Sequence, residues 1–408
     1  MSKIIIGNVH IVSRDPEIGE IPQGYLVLDG GKIVDVGSVD SEGGLPDFAA
    51  EEGVEYIDGE GCFAYPGFVE AHCHLGMFDD HLGWEGSDGN EITNPVTPEL
   101  RAIDSIFHDD VTLEEALAGG ITTVMTGPGS ANVIGGQFAV IKPYGRTVDE
   151  MVVLAPAAMK AALGDNPKRC YGGAQKRPQT RMANAAILRE SLLKARRYME
   201  SVEKAKAEAK DEPALDFSLQ ALLPVLRREM ILKVHCHRAD DILTAIRIAN
   251  EFGLRYTLDH CTEGYLIADV LEQEYQARNE AGHGTLEGII CGPLVSDRSK
   301  PELTRLWTGL PTVLYETGIP IAMATDHPVI PIQYAPIQAA LMMRDGLSRE
   351  GAMASITTAA AQILGLADRV GRLAPGLDAD VVLWDNDPFS TLATVDRVFV
   401  DGRLVYEG

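Results

Sequence analysis

The chain has 408 residues, 45% of them hydrophobic, so a single large barrel or two domains is the starting expectation. Sixty acidic against 35 basic residues leave a net charge of −25, which argues against nucleic acid or anionic membrane as a partner and leaves a small molecule as the expected one. The opening Met1–Ile6 run is too short for a signal peptide, and no stretch approaches the roughly 20 apolar residues of a membrane span, so a cytoplasmic protein is expected.

In chain order, residues 1–62 read as short strands and turns: Lys3–Ile11, Gly24–Leu28, a Gly30–Gly37 hairpin and Val54–Ile57. The far end supplies Asp380–Leu383, Val395–Val400 and Leu404–Tyr406. Neither piece is long enough for its own core, so residues 1–62 and 369–408 are expected to meet in one small β-sandwich. Between them, residues 63–368 alternate short apolar strands with helical segments, the pattern of a parallel β/α architecture. Seven strands are clear: Ala64–His72, Ile121–Thr126, Met151–Ala155, Met230–His235, Arg255–His260, Gly288–Cys291 and Ile319–Thr325. Phe138–Lys142 is either an eighth barrel strand or part of a hairpin. Helices are expected at Thr112–Ala118, Ala183–Ala209, Ala239–Glu251, Ala268–Asn279, Glu302–Thr317 and Ile332–Arg344.

Side chains at strand ends carry the chemistry in such a barrel. His72 and His74 are two residues apart, so a strand aims both imidazoles to one side, half of a site for zinc or a similar divalent ion. His235, His260 and Asp326 each end a mostly apolar strand and should emerge at the same rim. Six scattered cysteines give no disulfide spacing, and alternation turns Cys73 and Cys236 away from their histidine neighbours, as buried free thiols.

With Pro66-Gly67-Phe68-Val69-Glu70-Ala71-His72-Cys73-His74, the later strand histidines, Thr325-Asp326-His327-Pro328 and the Gly371–Val382 tail in this order, the chain resembles the amidohydrolase superfamily over essentially its whole length. The subgroup it most resembles is the imidazolonepropionase-related hydrolases. The resemblance implies a distorted (β/α)8 TIM-type barrel with a small β-sandwich built from both termini. It implies one or two divalent ions, zinc first with manganese or iron as alternatives, held by His72, His74, Asp326, His235 and His260. Homo-oligomers are the habit of the family.

His237 should face the same way as His235, either touching substrate or serving only as a hydrogen-bond partner to a ligand. Many two-metal members add a bridging carbamylated lysine. Lys160 is the placed candidate, with an ordinary helix lysine as the alternative reading; Lys233 is a rival that alternation puts only weakly on the ligand side. A divalent ion so held acidifies water and polarises a carbonyl, Asp326 moves the water proton to the leaving nitrogen, and His260 or His237 steadies the oxyanion. The expected reaction is hydrolysis of a carbon–nitrogen bond, an amide in cyclic or open form. Alternatives are a deaminase, weakened because Asp240 and Asp241 are the nearest acids after His237, a dipeptidase of the prolidase type, and a non-enzymatic scaffold, which the intact ligand set disfavours. The Gly127–Gln137 stretch is read as a backbone wall of the pocket, Arg169 as a carboxylate anchor or a surface ion pair, and His81, Trp84, Tyr144 and Arg146 as weaker pocket candidates.

Overall fold

The computed structural model describes residues 3–39, 53–79 and 83–408, and its strands fall into two eight-stranded sheets. The first draws on both ends of the chain. Strands β1 (Lys3–Val12), β2 (Glu20–Asp29), β3 (Lys32–Ser38), β4 (Val54–Asp58) and β5 (Phe63–Pro66) come from the start, and β14 (Val381–Trp384), β15 (Val395–Val400) and β16 (Arg403–Glu407) from the end. The joint is β5, which lies parallel to β1 and antiparallel to β14. Ile6, Leu26, Leu28, Ala64, Val381 and Phe399 from both ends share one core.

The second sheet runs in sequence order through β6 (Phe68–Cys73), β7 (Ile121–Thr126), β8 (Ile134–Ile141), β9 (Val152–Ala162), β10 (Ile231–Cys236), β11 (Arg255–His260), β12 (Thr285–Cys291) and β13 (Ile321–Met323). Every residue of β6, β7 and β10 is buried, as expected of strands covered on both faces. No ladder pairs β13 with β6 among the described residues. That seam is bridged instead by the His74 N–H to the His327 carbonyl at 2.8 Å and the Val69 N–H to the Ile356 carbonyl at 2.8 Å. The sheet is thus a nearly closed barrel in a mixed α/β fold.

Three sequence expectations change. The single strand expected over Ala64–His72 is two, split at Gly67, so that β5 belongs to the terminal sheet and β6 to the barrel. The ambiguous eighth strand is real but antiparallel to both neighbours, so the barrel is not an uninterrupted (β/α)8. The reason is length: residues 127–133 are too few for a parallel crossover, which takes a dozen or more residues. The third strand runs on from the expected Met151–Ala155 to Ala162, which places Lys160 on a strand rather than a helix.

The expected Glu302–Thr317 helix is also broken. A 3-10 turn covers Pro301–Leu303, and the α-helix restarts at Leu310 with Pro311 in its first turn, where a missing N–H costs nothing. Among the described residues no helix is long and apolar enough to cross a membrane.

Candidate metal centre

Alternation along β6 turns Glu70 and His72 inward, and His74 follows just beyond the strand. Asp326 comes from the opposite side of the seam, three residues past β13, with a left-handed backbone (φ +53°). Its Oδ1 lies 3.4 Å from His72 Nε2 and 3.2 Å from His74 Nε2. His74 Nδ1 donates to the Gly127 carbonyl at 2.7 Å, which leaves the Nε2 lone pair facing the aspartate. Burial pushes the Asp326 carboxyl up, but His260 and the contacts with His72 and His74 outweigh it and hold it well below the ordinary carboxylate range.

A second donor group gathers His235, His237 and His260, all buried. His260 and Cys261 are also left-handed, at φ +68° and +48°, a strain typical of residues held for function. His260 Nδ1 donates to the Gly292 carbonyl at 2.7 Å, again freeing Nε2. His237 Nδ1 meets the Thr262 hydroxyl at 2.7 Å, and its ring stacks on His260 with centroids 4.8 Å apart. The structure thus places His237 beside His235 and His260 among the candidate donors of this group. Burial and then the neighbouring imidazole of His260 depress His235 and His237 well below the usual range, keeping both neutral, the form that offers a lone pair.

Lys160 connects the two groups. It is fully buried, and its Nζ is 3.3 Å from His72 Nε2. Burial pulls its ammonium down to about 8 against the attraction of Asp259. Lys233 lies two residues before His235 on the same face, contrary to the weak placement expected for it. It is buried, 3.3 Å from Asp259 Oδ1, and donates to the Ala71 carbonyl. Asp259 is a hub that sequence reading passed over. Its Oδ2 sits 3.2 Å from His72 Nδ1 and 3.8 Å from Lys160 Nζ.

Next to the histidines is a cavity of about 150 Å3 lined by residues including His237, Thr262, Lys300 and Asp326. Lys300 donates to Asn166 Oδ1 at 2.9 Å and pairs with the buried Glu302 at 3.4 Å, while Glu302 lies 3.8 Å from His237 Nε2. Asn166, in the helix Asp165–Gly172, and Lys300 and Glu302, at the Pro301–Leu303 turn, were missed because none of them ends a strand. Glu70 had one, since it shares the alternation of His72 and His74.

Several pocket expectations do not hold. Arg169 is exposed and does not line this cavity. Trp84 is 82% exposed. Tyr144 and Arg146 line a different cavity beside Lys142 and Asp401, and Arg146 pairs with Glu150 there. His81 lies outside the described residues. The glycine-rich stretch does contribute backbone, through the Gly127 carbonyl that orients His74 and through Gly135, where a Cβ would stand 3.4 Å from the Lys160 side chain.

The residues fit a divalent ion. Buried His235 Nδ1 has no hydrogen-bond partner, and the two donor groups bring together imidazoles and, in one case, a carboxylate. Such clusters at one rim of a barrel define a class, hydrolases built around divalent ions.

The amidohydrolase family profile matches residues 228–406. An amidohydrolase from Thermotoga maritima superposes with a TM-score of 0.91 at 40% identity, covering 99% of this chain and 100% of that one. Amidohydrolase tasK of Hapsidospora irregularis is 29% identical over 388 residues, 89% of this chain, which spans only 38% of that relative. An imidazolonepropionase of Stenotrophomonas maltophilia is 28% identical over 426 residues, 93% of this chain and 90% of the relative. The chain belongs to the amidohydrolase family of hydrolytic enzymes.

Proposed function

We propose that this protein hydrolyses a carbon–nitrogen bond, an amide in cyclic or open form, in a small molecule, with zinc as the preferred ion. The observation that carries the reading is the arrival of His72, His74, Asp326, Lys160, His235 and His260 from five strands or strand ends in two adjoining donor groups. His72, His74 and Asp326 would hold one ion, and His235 and His260 a second, with Lys160 between them as a carbamate. When bound, such an ion supplies an acidified water and a polarised carbonyl.

The chain's own residues do the rest. Asp326, kept ionised, accepts the water proton and returns it to the leaving nitrogen. The Thr262 hydroxyl, 2.7 Å from His237 Nδ1, fixes the ring at the cavity, where the tautomer protonated on Nε2 would donate to the developing oxyanion.

The deaminase alternative gains one observation, the fully buried Glu302 carboxylate 3.8 Å from His237. Asp240 and Asp241 do not serve it, being paired with Arg238 and Arg181. The net charge of −25 speaks against nucleic acid or an anionic membrane as partner; a small-molecule substrate, a cytoplasmic location and a homo-oligomer are proposed from the family likeness. The shared core of the two chain ends supports a separate sandwich domain from the two ends, with the expected boundary at residue 62 moved past β5 to Pro66, beside a barrel domain that runs on to residue 368.

The test is metal content by mass spectrometry with turnover on a panel of N-acyl amines, lactams, cyclic imides and aminopurines. A new carboxylate without ammonia supports amide cleavage. Ammonia from the aminopurines supports deamination, and a metal-free, inert protein removes both readings.

A further inference from the structure

The seam between β6 and β13 is the one join between neighbouring barrel strands with no ladder among the described residues, yet the first donor group straddles it. Beside the His74–His327 backbone bond and the Asp326 contacts with His72 and His74, one fully buried side chain also spans the gap. Glu70 is 1% exposed, and its carboxylate accepts three hydrogen bonds. Oε1 takes the backbone N–H of His72 at 3.0 Å. Oε2 takes the backbone N–H of Thr325 at 2.9 Å and the Thr325 hydroxyl at 2.8 Å. The same hydroxyl accepts the His327 N–H at 3.2 Å, so Asp326, with its left-handed backbone, is bracketed from both sides.

We infer that Glu70 is a positioning residue that sets the spacing of His72 and Asp326, and with it the affinity and geometry of the first ion site. The inference rests on the proposed metal-dependent reading. Two observations favour it over a filler role. A carboxylate at this depth is costly unless every donor facing it is useful, and each of its three bonds ends on the backbone of a proposed ligand or on the residue before one. The two proposed ligands also come from opposite edges of an open seam, where no ladder holds their separation. Glu70 is not among the residues lining the cavity beside the histidines, so its effect runs through His72 and Asp326.

The experiment uses the full chain stripped of metal and reloaded with Co2+. Wild type is compared with Glu70→Gln, Thr325→Val and Thr325→Ser. Gln keeps the volume but turns an N–H toward one of the backbone N–H groups, while Val removes only the hydroxyl and Ser restores it. The expected result is a Co2+ dissociation constant raised about 10–100-fold in E70Q, a smaller rise in T325V, and near wild-type affinity in T325S. The visible absorption of the bound Co2+ should shift in E70Q and T325V and return in T325S. Unchanged affinity and spectrum in E70Q and T325V, with lowered thermal stability alone, would overturn the inference and leave the metal reading standing. A wild type that takes up no Co2+ would overturn both.

Discussion

Asp326 lies near His260 and reaches both His72 and His74, and together these outweigh burial and hold its carboxyl well below the ordinary range. Replacing it by Asn keeps the shape and the lone pair of one oxygen but removes the base. Asp326→Asn should retain the fold and most bound metal while turnover falls about 10²–10⁴-fold, checked by steady-state rates beside metal analysis. His72→Ala should do the reverse at the first step, lowering metal content. Full occupancy in that variant would contradict the ligand assignment. Lys160 and Lys233 show how fine the distinction between similar residues becomes. They are paired across β9 and β10, both are buried, and Asp259 sits nearer Lys233, so Lys160 is the ammonium left with weaker compensation beside His72.

At the scale of elements, the Pro66-Gly67 pair is where the chain leaves one sheet for the other. Gly67 donates its N–H to the Asp380 carbonyl at 3.0 Å, and a Cβ there would stand 1.9 Å from Thr122 Oγ1 and 2.5 Å from its Cγ2. The glycine is therefore needed for close approach to β7. Gly67→Ala should cost about 1–3 kcal/mol through overpacking, read as a lower denaturation midpoint. The reversed strand β8 has a functional consequence as well. Because it runs against β9, its start at Ile134 lies beside Ala161, and the loop before it reaches the rim where its Gly127 carbonyl orients His74.

Across the whole molecule, the terminal sheet is fastened to the barrel by a buried ion cluster. Lys142, which follows β8 and is 3% exposed, lies 3.0 Å from Asp378 and 3.0 Å from Asp380, and also pairs with Asp401. Burial pulls its ammonium down, but the three carboxylates outweigh this and hold it above its ordinary value. Lys142→Met would leave Asp378 and Asp380 buried without that countercharge, although Lys32 and Arg369 still reach Asp378. A loss of about 3–5 kcal/mol is expected from the unfolding curve, with the half-exposed Asp401 adding little. The cluster lies apart from the donor groups, so metal affinity should stay near wild type.

The sequence by itself determined the alternation of strands and helices, the joining of the two ends and the strand ends that carry the candidate donors, because burial period and donor spacing are local properties of a chain. His72, His74, His235, His260 and Asp326 were legible for that reason. Only the tertiary structure decided that Lys160 extends a strand, that Lys233 turns inward, that β8 is reversed and that Arg169 stays outside the pocket. It also revealed Glu70, Asp259, Lys300 and Glu302 as members of the site's polar network. These depend on which strands become neighbours and which charges are left to share one buried space, and no local pattern encodes that.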